Sequence, residues 1–160
     1  MYKLFAMDVD GTLTDGGIYV DGSGNEYKRF DIQDGMGIVL FRRAGGKAAA
    51  ISGRYSAATQ RRLQELHFDY VANGCNSDKL SVLKEFAERA GVESEEVVYA
   101  GDDVNDIECV KWSGLGIAVA NAVPQLCEAA DYITKKAGGN GAIREIADMV
   151  LAMNAAEADK

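Results

Sequence analysis

Leu4-Phe5-Ala6-Met7-Asp8-Val9-Asp10-Gly11-Thr12-Leu13-Thr14-Asp15-Gly16 decides the fold. Its first four residues are apolar and read as a buried strand, which empties at once into a loop of carboxylates, hydroxyls and glycine. The pattern recurs down the chain. Ala48-Ala49-Ala50-Ile51 runs into Ser52-Gly53-Arg54, and Val97-Val98-Tyr99-Ala100 runs into Gly101-Asp102-Asp103-Val104-Asn105-Asp106. Ile117-Ala118-Val119-Ala120 is a further apolar run, with weaker strands at Tyr70-Val71-Ala72 and Tyr132-Ile133. Helical punctuation fills the gaps. Residues 36–44 stop at Gly45-Gly46, Ser56 caps a helix reaching Leu66, and Ser77 caps one reaching Ala90 with Gly91 beyond it. Residues 105–112, 124–129 and 142–153 complete the helices, and residues 154–160 read as a flexible tail. Strand and helix alternating throughout imply an α/β sandwich of three layers around a central parallel sheet, formed by one domain over residues 1–160.

One segment breaks the alternation. Ile18-Tyr19-Val20, a turn Asp21-Gly22-Ser23-Gly24-Asn25, and Glu26-Tyr27-Lys28-Arg29-Phe30 read as a β-hairpin placed as a flap after the first acidic loop. The composition is that of a globular protein, with 48% hydrophobic and 26% charged residues, which excludes disorder. A formal net charge of −8 argues against a nucleic-acid partner. Nothing in the sequence reads as a membrane helix or a cleavable signal, so the expected location is cytoplasmic. Three cysteines without a CxxC pair suggest neither a disulfide framework nor a thiolate zinc site. His67 is the only histidine, which excludes Ser-His-Asp, Cys-His and multi-histidine metal chemistry.

Chemistry is therefore left to carboxylates, hydroxyls, lysine and a hard metal. In open parallel sheets the ligand site lies beyond the carboxyl ends of the strands, where the three polar loops converge. Two acidic clusters brought together there repel unless a cation lies between them, and carboxylates without imidazole or thiolate select an ion such as Mg²⁺. Taken alone, Asp102-Asp103 reads equally well as a helix cap or a solvated turn.

The four motifs together resemble the haloacid dehalogenase superfamily. Asp8-Val9-Asp10-Gly11-Thr12-Leu13-Thr14-Asp15 follows the first strand, Ser52 the second, Lys79 comes next, and Gly101-Asp102-Asp103-Val104-Asn105-Asp106 comes last. The resemblance implies a Rossmann-like phosphatase. Asp8 would be the nucleophile, Asp10 the general acid and base, and Ser52 and Lys79 the partners of the phosphoryl group. Mg²⁺ would be held by Asp8, the Asp10 carbonyl and Asp102, with Asp103 and Asp106 behind them holding metal waters or orienting Lys79. A lysine at a helix N-terminus opposes the helix dipole, which favours a phosphate-binding role for Lys79.

The stretches separating Asp10 from Ser52 and Ser52 from Lys79 are used up by the hairpin, two helices and a strand, so no cap domain fits. A finer resemblance is to the capless 3-deoxy-D-manno-octulosonate 8-phosphate phosphatases of lipopolysaccharide biosynthesis and their sialic acid 9-phosphate relatives. It rests on Asp15-Gly16-Gly17-Ile18-Tyr19, Phe30-Asp31-Ile32-Gln33-Asp34-Gly35-Met36-Gly37, Ser77-Asp78-Lys79-Leu80 and Gly138-Gly139-Asn140-Gly141-Ala142-Ile143-Arg144-Glu145. It implies a homotetramer with sites at subunit interfaces and hairpins packed together. Asp31, Ile32, Gln33, Asp34 and Gly35 would line the sugar site, and Gly53, Arg54 and Arg62 would meet the phosphate or the sugar carboxylate. Arg62 reads as well as a solvated helix residue. Val39 and Asn140 stand where the octulosonate pattern has arginine, which keeps sialic and deaminated sialic acid 9-phosphates open as substrates. A reading of another class is a non-catalytic subunit working beside a nucleotidyltransferase. A phosphoacceptor receiver domain fits less well, because its acceptor aspartate follows the third strand.

Overall fold

The computed structural model describes residues 1–75 and 78–160. Its strands β1 (Leu4–Met7), β4 (Lys47–Ser52), β5 (Tyr70–Asn73), β6 (Val97–Gly101), β7 (Leu115–Ala118) and β8 (Tyr132–Ile133) form one sheet in the order β5-β4-β1-β6-β7-β8. Every neighbouring pair in that sheet is parallel. The central strand alternates between two buried faces. Phe5 and Met7 of β1, with Ala48, Ala50, Val98 and Ala100 beside them, pack against α1 (Ile32–Arg43), α2 (Ala57–Glu65) and α6 (Ala142–Ala158) through Phe41, Leu63, Ile146 and Val150. Leu4 and Ala6, with Ile51 and Tyr99, pack the other face against α3 (Lys79–Ala90), α4 (Ile107–Trp112) and α5 (Pro124–Ala129) through Leu83, Phe86, Val110 and Leu126. Burial on both faces is why these strands read as continuous apolar runs.

Asp31 accepts the amides of Gln33 and Asp34, so α1 starts at Ile32, earlier than the expected residue 36. The obstacle to reading that start was Gly35 and Gly37, which weaken a helix. Here they permit close packing: a Cβ on Gly37 would lie 3.0 Å from the Arg144 Cα on α6, and one on Gly35 would lie 2.6 Å from the Arg62 guanidinium. Strand β7 covers Leu115–Ala118, two residues earlier at both ends than the expected Ile117–Ala120; the glycine that interrupts its apolar run, Gly116, lies against α4, where a Cβ would meet the Val110 carbonyl at 2.3 Å. The expected cap Ser77 lies outside the described residues, and α3 is capped by Asp78, which accepts the Ser81 amide. Residues beyond 153, expected as a tail, continue α6 to Ala158. Asn154 anchors that extension by accepting the Tyr2 amide and donating to its carbonyl.

The hairpin pairs β2 (Tyr19–Val20) antiparallel with β3 (Glu26–Tyr27), with Tyr19 opposite Tyr27. Asp21 closes its turn by accepting the amides of Ser23 and Asn25. Outside the hairpin, the segment between Asp10 and Ser52 holds only α1 and the body of β4, and the segment between Ser52 and Lys79 only α2 and β5, among the described residues. No helix is long and apolar enough to cross a membrane among the described residues.

Candidate active site

All three polar loops leave the same edge of the sheet, because β1, β4 and β6 run parallel and in register. Met7 pairs with Ala50 and Ala100, and the next residue, Asp8, donates its amide to the Ala100 carbonyl at 2.9 Å. The chain then turns sharply at Gly11, whose φ is +87°. Thr14 holds that turn, its hydroxyl accepting the amides of Gly11 and Gly16. A Cβ on Gly11 would lie 2.2 Å from an Asp102 carboxylate oxygen, so glycine lets the two acidic loops touch. Thr12 completes the contact by donating to Asp102 Oδ1 at 3.1 Å.

Lys79 bridges the carboxylates. Its ammonium lies 2.9 Å from Asp8 Oδ1 and 2.9 Å from Asp106 Oδ1. Burial acts to lower its pKa, yet the two carboxylates outweigh that and hold it above its ordinary value. Asp106 is fully buried and its oxygens are taken: Oδ1 accepts from Lys79 and from the Tyr99 hydroxyl at 2.7 Å, and Oδ2 accepts the amides of Asp102 and Asp103. It therefore fixes Lys79 and shapes the Asp102 loop. Asp103 is exposed and spends its side chain on the Val104 amide.

Asp8 is 6% exposed, and its Oδ1 accepts from its neighbour's amide at 2.7 Å as well as from Lys79. Burial pushes its pKa well up, and the Asp106 charge adds to that. Asp102 is pushed up by burial too. Oxygens of Asp8, Asp102 and Asp106 lie within 4.8 Å of one another, close enough to share a cation. Since Asp106 is already satisfied, Asp8 and Asp102 are the carboxylates with capacity to spare. An all-oxygen pair whose charged forms are penalised in the bare protein suits a small hard divalent ion.

A cleft of about 300 Å³ opens over these groups, lined by Asp8, Asp10, Ser52, Arg54, Lys79 and Asp102 among others. The Ser52 hydroxyl donates to the Arg54 carbonyl at 2.9 Å. Gly53 borders the cleft with open space where a Cβ would be. Arg54 pairs through both terminal nitrogens with Glu26 of the hairpin, and its bonds hold Glu26 down to about 2.

The expected sugar residues are placed differently. Ile32 is 83% exposed, Gln33 is exposed beside it, and Asp31 is spent on capping α1. Asp34 is fully buried and accepts the Arg144 amide at 2.9 Å in the first turn of α6, so within this chain it joins two helices and does not border the cleft. Gly35 is covered by Arg62, whose guanidinium also lies 6.0 Å from the Phe30 ring and whose Nε is buried without a partner.

Sequence reasoning missed Lys28. Its side chain is fully covered and reaches Asp10 Oδ1 at 2.5 Å and the Thr59 hydroxyl at 3.3 Å. The available signal was strand alternation, which sends Glu26 and Lys28 to the face opposite Tyr27. Arg29 was missed as well: it donates to the Gly139 carbonyl and to Asn140.

A strand-end aspartate bridged by a buried lysine to a second acidic loop is a site suited to phosphoryl transfer, and comparison with known proteins makes its class a hydrolase. The haloacid dehalogenase-like hydrolase family matches residues 67–146. The 3-deoxy-D-manno-octulosonate 8-phosphate phosphatase KdsC of Escherichia coli K12 is 38% identical over 149 residues, covering 93% of this chain and 79% of the relative. The Moraxella catarrhalis 3-deoxy-D-manno-octulosonate 8-phosphate phosphatase, solved with a magnesium ion, a phosphate ion and KDO, superposes with a TM-score of 0.91 at 42% identity, over 94% of this chain and 86% of that one. The cobalt-bound deoxy-D-mannose-octulosonate 8-phosphate phosphatase of Haemophilus influenzae superposes with a TM-score of 0.90 at 35% identity, over 94% and 88%. The chain belongs to the haloacid dehalogenase-like hydrolases, within their 3-deoxy-D-manno-octulosonate 8-phosphate phosphatase family.

Proposed function

We propose that this chain is a capless, single-domain Mg²⁺-dependent phosphatase whose substrate is 3-deoxy-D-manno-octulosonate 8-phosphate. The observation that carries the reading is Lys79, which lines the cleft, held 2.9 Å from Asp8 and oriented by the buried Asp106. Asp8, Asp102 and the Asp10 carbonyl would hold Mg²⁺, which supplies the positive charge that lets an anionic carboxylate approach an anionic ester.

One oxygen of the Asp8 carboxylate would hold the cation and the other attacks, with Lys79 and the Val9 amide, both on Oδ1 here, fixing the orientation of the group. The attacking oxygen bonds to phosphorus as the ester P–O bond breaks, and the departing sugar oxygen keeps the electron pair and takes a proton from the Asp10 carboxyl. Water then gives its proton to Asp10 and its oxygen to phosphorus, and the Asp8–phosphorus bond breaks with its electron pair returning to the carboxylate. Ser52 turns its hydroxyl from the Arg54 carbonyl to a phosphoryl oxygen, and Lys79 neutralises another.

An open cleft discriminates poorly, so the lid is assigned to assembly. Ile18, Tyr19, Val20 and Tyr27 are exposed apolar residues on one hairpin, which supports a homotetramer built through these flaps. In such an assembly Ile32, Gln33 and Arg62 border a neighbour's cleft. The absence of arginine at Val39 favours a second reading, a sialic or deaminated sialic acid 9-phosphate, although Arg29 brings a guanidinium to the loop holding Asn140. We place the enzyme in the cytoplasm, where doubly anionic sugar phosphates are retained. Phosphate release from a panel of sugar phosphates with Mg²⁺ tests the assignment. Highest kcat/KM on the octulosonate ester supports it, and highest kcat/KM on a nine-carbon ester replaces it with the second reading.

A further inference from the structure

Glu26, Tyr27 and Lys28 alternate across β3 and its extension. Tyr27 faces outward and is 62% exposed, while the Lys28 side chain is fully covered and Glu26 is largely covered. An ammonium in such a place needs acceptors for its three donors. Lys28 finds Asp10 Oδ1 at 2.5 Å, the Thr59 hydroxyl at 3.3 Å and Glu26 Oε1 at 3.4 Å. Glu26 in turn grips Arg54. The hairpin thus holds the loop after β1 through Lys28 and the loop after β4 through Glu26. Asp10 is different from Asp8 in its support. Asp8 is packed into the site and bonded on Oδ1 from two sides, whereas the Asp10 side chain is 28% exposed. A short aspartate at a loop surface samples several rotamers, and a single fixed cation on one oxygen selects one of them.

We propose that Lys28 is a positioning residue: by holding Asp10 Oδ1 it aims Oδ2 at the oxygen that leaves with the sugar. This rests on the phosphatase reading above, in which Asp10 carries the proton. The hairpin then does more than cover the cleft, because its inward face sets the geometry of proton transfer. Misplacing a proton donor slows only the step that needs the proton. An alkoxide leaving group needs it, whereas a nitrophenolate leaves without one.

The test is single-turnover kinetics of the Mg²⁺-loaded enzyme, comparing octulosonate 8-phosphate with p-nitrophenyl phosphate and reading the first, phosphoenzyme-forming step for each. Lys28→Met keeps the length of the stem and removes the charge. The expected result is a fall of about tenfold or more in the ratio of the sugar-ester rate to the nitrophenyl rate, with KM for the sugar ester changed by about twofold or less. An unchanged ratio, whether both rates hold or both fall together, overturns the proposal. Should the Met variant not fold, Lys28→Gln carries the same contrast. If the unaltered enzyme cleaves neither ester, the phosphatase reading itself fails; if it cleaves both and the ratio survives the substitution, only the role of Lys28 fails.

Discussion

Asp34 on α1 accepts the backbone amide of Arg144 on α6 at 2.9 Å, a bond spanning 110 residues that supplies the side-chain cap α6 lacks from its own sequence. Its other oxygen, Oδ2, is buried without a partner. Burial, with the Asp31 charge adding to it, pushes Asp34 up to about 6.

That bond makes a pH prediction. In an unfolded chain Asp titrates near about 3.9, so between about pH 4 and 6 the folded protein holds a proton the unfolded chain has released. Stability from this group is fully present below that window and is lost as pH rises through it, by about 2–3 kcal/mol. Asp34→Asn keeps the acceptor for Arg144 and removes the titration. In urea unfolding, the stability of Asp34→Asn relative to wild type is expected to rise by about 2 kcal/mol between about pH 4.5 and 7.5. Parallel pH profiles would contradict it.

Much of this molecule was legible because its signals are local. Strands buried on both faces show as apolar runs, and loops leaving one sheet edge carry the polar residues, so Asp8, Ser52 and Asp102 could be placed from order alone. What escaped is set by long-range packing. Asp34 reads as a sugar contact until α6 is laid over Gly37 and takes its carboxylate, and Lys28 reads as a hairpin lysine until β3 turns its inner face onto Asp10. The start of α1 escaped for a related reason, since two glycines inside a helix are tolerated only where another element needs the space.

Gly11→Ala tests the contact between the acidic loops. The new Cβ falls 2.2 Å from Asp102 Oδ2 at a backbone φ of +87°, so the carboxylate must move and the turn is strained by roughly 1–2 kcal/mol. The Mg²⁺ concentration for half-maximal activity is expected to rise by about tenfold or more while the protein stays folded. An unchanged magnesium titration would show that Asp102 does not depend on this close approach.

The hairpin predicts assembly. Light scattering of the unaltered protein is expected to give four times the chain mass. Tyr19→Glu together with Tyr27→Glu, which places charges opposite each other on the exposed face, is expected to give a smaller species with weakened sugar-phosphate turnover. A monomeric wild type with full activity would leave the cleft to work without a neighbour's lid.

The most direct test is phosphate release from 3-deoxy-D-manno-octulosonate 8-phosphate by wild type and by Asp8→Asn, each with saturating Mg²⁺. Asparagine preserves the shape of the residue that Lys79 and the Val9 amide hold, and removes the nucleophile. The expected result is Mg²⁺-dependent turnover by wild type and a loss of about a thousandfold or more in kcat for the folded variant. Turnover by Asp8→Asn within about tenfold of wild type would contradict covalent catalysis at Asp8.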